Sequence, residues 1–322
     1  MIKIGTVPVF LLLLVALPGF AQPVIGYLGA ESPERFASRL DAFRSGLAEM
    51  KYTEGRNVRI EYRWANGDNA RLPALAAELV RSRVNVLVAP GSAVSAYAAK
   101  QATSTIPIVF ELGIDPVAGG LVRSMNQPGG NATGVTSLNT QVMAKRLQLL
   151  HEIVPRAKSL ALLVNPTNPR NAETVTQDLQ AAAGTLGVKL HVLHAASEKE
   201  IGSAMDSVTR LGAGGLVVTN DTFFANRGKE MGALSLAKRV PAIQLSPEFV
   251  AAGGLISYAG DFVESHRLAG VQTGRILNGE KPAMLPVQQV TKTQLFVNLK
   301  SAKALGVKVP SSILVQADRV IE

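Results

Sequence analysis

Short apolar runs alternate with amphipathic stretches along nearly the whole chain, and the alternation runs through twice. In the first array, Val24-Ile25-Gly26-Tyr27-Leu28 reads as a buried strand. Ser32-Pro33 then offers a helix cap and a first-turn proline, and Phe36, Leu40, Phe43 and Leu47 recur at helical spacing. Val58, Ile60, Tyr62 and Trp64 alternate with Asn57, Arg59, Glu61 and Arg63, the pattern of a strand with one wet face near a sheet edge. A helix over 69–83 leads to Val84-Asn85-Val86-Leu87-Val88-Ala89, which stops at Pro90-Gly91-Ser92. Another helix to about 103, the strand Ile106-Pro107-Ile108-Val109-Phe110, a turn at Gln127-Pro128-Gly129-Gly130-Asn131 and the short strand Gly134-Val135-Thr136 complete the array.

The second array starts near Thr140. Helices are expected over 141–153, 171–186, 197–211, 223–239 and 262–277, and strands over 160–164, 188–193, 215–218, 242–245 and 255–258. Beyond these, Pro282, Pro286 and Pro310 punctuate extended segments around 287–290 and 295–298. Strand–helix alternation with short loops implies right-handed crossovers and parallel sheets, so the expected fold is α/β with two similar Rossmann-like lobes. Apolar residues make up 47% of the chain and aromatic residues only 5%, as in parallel sheets packed by Ala, Val, Leu and Gly.

The first residues carry an export signal. Lys3 is followed by an uncharged apolar stretch from Val7 to Phe20, and Gly19 and Ala21 stand three and one positions before a cut at Ala21/Gln22. The run is shorter than the roughly 20 residues that span a bilayer core, although an uncleaved anchor is the alternative. About 300 residues then remain, enough for two lobes. The chain has no cysteine, so no disulfide supports the fold and no thiol near the cut takes a lipid. A freely diffusing periplasmic protein is expected. The net charge of +9, or +8 once Lys3 is removed, is spread singly along helices without a basic run, which argues for a solvated surface and against nucleic acid.

Several chemistries lack their motifs. The sequence has no G-x-S-x-G elbow, no G-x-x-x-x-G-K-[ST] loop and no G-x-G-x-x-G after a strand. His151, His191, His194 and His266 have no metal-ligand spacing and read as surface or strand-edge residues. No cofactor or metal is expected.

In open parallel sheets, ligands bind at the carboxyl ends of strands. Gly29 ends the first strand, and Gly91, Ser92 and Ala93 start the helix after the third, where exposed N–H groups suit a carboxylate or phosphate. Asp115 follows the fourth strand and Thr136 ends the fifth. The matching places in the second array are Asn165, Asn220, Asp221, Glu248 and Tyr258. Asp115 and Asp221 offer carboxylates to an ammonium group, and Tyr258 offers a ring to an apolar or aromatic ligand. Ser92, Asp115 and Asp221 are equally good helix caps, Asn165 and Asn220 equally good turn residues, and Tyr258 an equally good core residue.

At these loops the sequence resembles the substrate-binding proteins of ABC importers of the tryptophan/tyrosine type, with the type I periplasmic-binding fold. The resemblance rests on Ala89-Pro90-Gly91-Ser92-Ala93, Thr105-Ile106-Pro107-Ile108-Val109-Phe110, Asp115-Pro116-Val117, Pro128-Gly129-Gly130-Asn131-Ala132-Thr133-Gly134, Phe249-Val250-Ala251-Ala252-Gly253-Gly254-Leu255 and the tail from Asn298 to Glu322. It implies a non-enzymatic monomer that delivers a small organic solute, with an aromatic or apolar amino acid as candidate, to an ABC permease in the inner membrane. It also implies a hinge, with the chain crossing between lobes near Leu138, Gly260 and Pro286. The first lobe would then comprise 22–137 and about 260–286, and the second 138–259 and about 287–322. An extracellular sensor with the same fold is the alternative. An exported hydrolase is disfavoured by the missing nucleophile–base pair.

Overall fold

A computed structural model describes residues 22–34, 36–137 and 142–322. The leader at 1–21 and the crossing near Leu138 lie outside the described residues. The first five strands are β1 (Val24–Gly29), β2 (Arg59–Trp64), β3 (Val86–Ala89), β4 (Ile108–Leu112) and β5 (Ala132–Thr136). The next five are β6 (Ser159–Val164), β7 (Lys189–His194), β8 (Leu216–Val218), β9 (Ala242–Gln244) and β10 (Ile256–Gly260). The tail adds β11 (Gln288–Gln289), β12 (Thr293–Asn298) and β13 (Arg319–Ile321). They form two sheets, ordered β11-β5-β4-β3-β1-β2 and β13-β12-β10-β9-β8-β6-β7.

The sheets form because the strand runs are apolar on both faces. In the first lobe, Leu28, Leu87 and Phe110 pack on one side while Ile25, Tyr27, Val88 and Val109 pack on the other. In the second, Leu160, Leu162 and Val217 face one cluster and Ala161, Leu163 and Val218 the other. Each fully buried Leu or Val of this kind contributes on the order of 2 kcal/mol.

Four expectations need correction. The first helix starts at Ala37, not at Ser32-Pro33; the Ser32 carbonyl instead accepts from the Phe36 N–H in the turn before it. The helix expected over 223–239 is broken into Thr222–Ala225 and Gly228–Ala237. The second sheet is not wholly parallel, because β12 runs antiparallel to β10. Finally, β11 pairs with Val135 and Thr136 of β5, so the chain passes to the second sheet after Gln289 rather than at Pro286.

The helix Phe262–Leu277 follows the second array yet belongs to the first lobe, where it packs on the helix Ala37–Glu49. The two backbones touch through glycines. A Cβ on Gly46 would lie 1.8 Å from the Arg267 carbonyl oxygen, and one on Gly270 would lie 2.1 Å from that of Phe43. The connections between lobes adjoin one another: the Asp261 N–H donates to the Lys292 carbonyl at 3.0 Å, and the Val290 N–H to that of Thr136 at 2.9 Å. The lobes also approach at their rims, where a Cβ on Gly67 would stand 3.7 Å from Asn226 Nδ2.

Candidate functional site

The carboxyl ends of the strands collect the expected residues, but their partners differ between lobes. In the first lobe, Gly29 stands beside Trp64 in the register of β1 and β2, and a Cβ there would lie 2.2 Å from the indole ring. Its glycine makes room for the protein's own tryptophan. Gly91 has φ +80°, the left-handed region that favours glycine, and a Cβ there would lie 2.5 Å from Phe36 Cζ. Its N–H already donates to Glu111 Oε2 at 3.0 Å. Ser92 caps the helix Ala93–Ala102 by accepting from the Val94 N–H at 3.1 Å. The helix start thus holds a carboxylate of its own.

That carboxylate belongs to a buried cluster that strand reading missed. Glu111 is 1% exposed at the end of β4, and Ser265 Oγ donates to its Oε1 at 2.8 Å. His266 Nε2 stands 3.5 Å from Glu111 Oε2, while its Nδ1 is 2.8 Å from the Phe262 carbonyl oxygen. His266 is completely buried, not the surface residue expected, and burial holds its pKa below the usual range against the opposing pull of Glu111. Glu31, two residues past β1, is also buried, and its Oε2 has no hydrogen-bond partner. Burial pushes its pKa up to about 7, only partly offset by the charge of Arg39.

Asp115 is exposed and accepts from the N–H groups of Val117 and Ala118 at 2.7 and 3.1 Å, closing its own turn. Thr136 is buried and donates to the Ile114 carbonyl at 2.8 Å, tying the end of β5 to the loop after β4.

In the second lobe the structure brings together Asn165 and Asp221. Asp221 accepts from Asn165 Nδ2 at 2.9 Å, from Asn168 Nδ2 at 3.0 Å and from the Phe223 N–H at 2.9 Å. It is a helix cap that also ties the loop after β6 to the loop after β8. Glu248 sits half-buried in the first turn of the helix Pro247–Ala251, which Ser246 caps. Asn220 and Tyr258 meet through a residue the sequence reading passed over. Arg146 is completely buried in the helix Met143–Ile153. Its Nε donates to the Tyr258 carbonyl at 2.5 Å, and its Nη1 donates to Asn220 Oδ1 and stands 3.0 Å from Met143 Sδ. The Tyr258 ring packs half-buried against the second-lobe core.

The signal for Arg146 is its register. It falls three residues after Met143 and four before Leu150, within the apolar stripe that also holds Leu147. A charge on that stripe either snorkels to water or is buried for a reason. Similarly, Glu111 interrupts the apolar run of β4 next to its carboxyl end.

Among the described residues, no helix is long and apolar enough to cross a membrane, and no group of three or more metal-ligating side chains occurs. Comparison with known proteins fits this geometry. The tyrosine-binding protein of Clostridioides difficile is 26% identical over 267 residues, covering 83% of this chain and 76% of that protein. The crystal structure of a Streptococcus pneumoniae ABC domain in complex with L-Trp superposes with a TM-score of 0.84 at 25% identity, covering 94% of this chain and all of that one. The ligand-free, open structure of a Clostridium difficile substrate-binding protein with adhesive properties shares the fold at 24% identity, with a TM-score of 0.67 over 93% of this chain and 99% of that one. The sequence profile of the ABC transporter substrate-binding proteins matches residues 31–321, and the chain belongs to that family.

Proposed function

We propose that this protein captures an amino acid with an aromatic or apolar side chain outside the cytoplasm and hands it, as a monomer, to the permease of an ABC importer. The observation that carries the reading is the concentration of buried polar groups at the carboxyl ends of both sheets, in a chain similar to proteins named for tyrosine or solved with L-Trp. Asn165, Asn220, Asp221 and Tyr258 supply the second-lobe wall, and the loops after β1, β3 and β4 the first. Closure about the adjoining connections at Asp261 and Lys292 would enclose the solute between them.

Binding without turnover is supported by the state of a grouping that resembles a hydrolytic triad. Ser265, His266 and Glu111 are at most 1% exposed, and the serine hydroxyl donates to Glu111 at 2.8 Å, a shorter contact than the 3.5 Å to His266 Nδ1. A buried serine so engaged is not poised to attack a substrate. Export by cleavage after Ala21 would place the mature chain in the periplasm.

A thermal-shift screen of the purified protein against amino acids, organic acids, sugars and nucleosides tests the ligand class. A ligand at 100 times its Kd stabilises by about 2.7 kcal/mol. Shifts with L-tryptophan, L-tyrosine or apolar amino acids are expected. Shifts confined to sugars or nucleosides, or chemical conversion of a bound solute, overturn the proposal.

A further inference from the structure

Arg146 lacks the partner that buried arginines ordinarily have. It is completely buried, yet no carboxylate among the described residues forms an ion pair with it. Its three hydrogen-bonding contacts are neutral: a backbone carbonyl, an amide oxygen and a thioether. Its Nη2 has no partner at all. Nor has Nδ2 of Asn220, whose other amide atom accepts from Arg146, nor the hydroxyl of the preceding Thr219. Burying an unpaired cation costs several kcal/mol, and each unmatched donor adds to the cost. Burial pulls the Arg146 pKa down to about 9, only partly offset by the neighbouring Tyr258. The group remains charged at neutral pH.

The location adds a second constraint. Thr219 and Asn220 form the loop at the carboxyl end of β8, and Tyr258, midway along β10, offers its carbonyl to Arg146 beside them. The unmatched donors therefore gather at the edge of the sheet where ligands of this architecture bind. The corresponding edge of the first lobe is unfavourable to an anion. The Gly91 N–H just before its helix is taken by Glu111, and Glu31 Oε1 would lie 3.3 Å from a Cβ on Gly91.

We infer that Arg146 and Asn220 form the carboxylate anchor of the bound solute, with Arg146 Nη2 and Asn220 Nδ2 donating to the two carboxylate oxygens, and that the helix start at Ser92 does not hold that group. The inference rests on the solute-binding reading above and deepens it. A charge-assisted hydrogen bond from a guanidinium in a desolvated site selects strongly against ligands that lack the negative charge. Asn220 holds the guanidinium through its oxygen and leaves its own nitrogen to the solute. The Tyr258 carbonyl takes Nε, and Asn220 and Met143 take Nη1, so Nη2 is the donor left for the solute.

The test uses four probes by isothermal titration: L-tryptophan, L-tyrosine, indole-3-acetate, which keeps the carboxylate and lacks the amine, and tryptamine, which keeps the amine and lacks the carboxylate. The variants are Arg146→Gln and Asn220→Asp. The second places a carboxylate directly on the guanidinium and preserves size, so it keeps the fold even where Arg146→Gln does not. Wild-type protein is expected to prefer carboxylate-bearing probes over tryptamine, and Asn220→Asp to weaken them by at least about tenfold without weakening tryptamine. Binding of indole-3-acetate alone, lost in Asn220→Asp, supports the anchor and overturns the amino-acid reading. Equal binding of tryptophan and tryptamine, or an unchanged carboxylate preference in Asn220→Asp, overturns the anchor and leaves that reading intact. No binding of any probe overturns both.

Discussion

The two lobes share a sheet architecture and differ in how the charges they bury at its edge are partnered. The first buries Glu31 and Glu111 with a neutral-leaning histidine, and Glu31 has one carboxylate oxygen unpartnered. The second buries Asp221, held by three donors, and Arg146, with which no acid forms an ion pair. Strand–loop–helix geometry determines where a site forms, and a single charged side chain on an otherwise apolar element determines what that site accepts. The caps follow the same division. Ser92 and Asp221 occupy equivalent positions after a strand, but Ser92 holds one N–H while Asp221 gathers three donors from two loops.

The largest expected effect breaks the first lobe alone. Gly270→Val drives a side chain into the Phe43 carbonyl and should cost more than about 3 kcal/mol, seen as a lowered denaturant midpoint. If the helices Ala37–Glu49 and Phe262–Leu277 were free to separate, the midpoint would barely move.

Glu31 gives the next effect, with the sign reversed. Its carboxyl has a usual pKa of 4.5 and about 7 in the folded chain. Below pH 4.5 it is protonated in both states. Between 4.5 and 7 the folded chain retains the proton that the unfolded chain releases, so its contribution to stability falls as pH rises and is fully lost above 7. Glu31→Gln should therefore stabilise the protein at pH 8, by on the order of 2 to 3 kcal/mol, and leave it unchanged at pH 4. His266 acts in the opposite sense, losing stability as pH falls through 6.5, and cancels when variant and wild type are compared. Melting curves across pH check the difference, and equal slopes for both proteins would refute it.

Asn220→Asp should raise the melting temperature of the unliganded protein by an amount worth about 1 kcal/mol, because it supplies Arg146 with a counter-charge. The smallest effect is that of Ser92→Ala, about 0.5–1 kcal/mol for a lost cap with ligand affinity unchanged within twofold. A tenfold loss of affinity there would return the anion to the first lobe.

Much of the fold was legible because its signals are local. Val86–Ala89 and Ser159–Val164 are continuous apolar runs between turn residues, and both are strands. The tail was less legible because its elements depend on partners far away. Gln288–Gln289 has no apolar pattern and is a strand only because β5 offers an open edge, and Arg319–Ile321 exists by pairing with β12. The helix start at Ala37 eluded Ser32-Pro33 because Phe36 must first turn inward against Trp64 and His266. The buried charges beside the strand ends, by contrast, were not legible. Arg146 looks like one of many helix cations until its place on the apolar stripe is noticed, and Glu111 looks like a strand terminus until Gly91 and Ser265 close on it.

The return of the helix Phe262–Leu277 and β11 to the first sheet has a consequence for biosynthesis. Ribosomes deliver β5 long before these pieces exist, so the amino-terminal half waits, with the face of its Ala37–Glu49 helix uncovered, for more than 120 further residues. A nascent polypeptide of this design cannot complete its first unit early. That delay ties the maturation of both halves to a single late event.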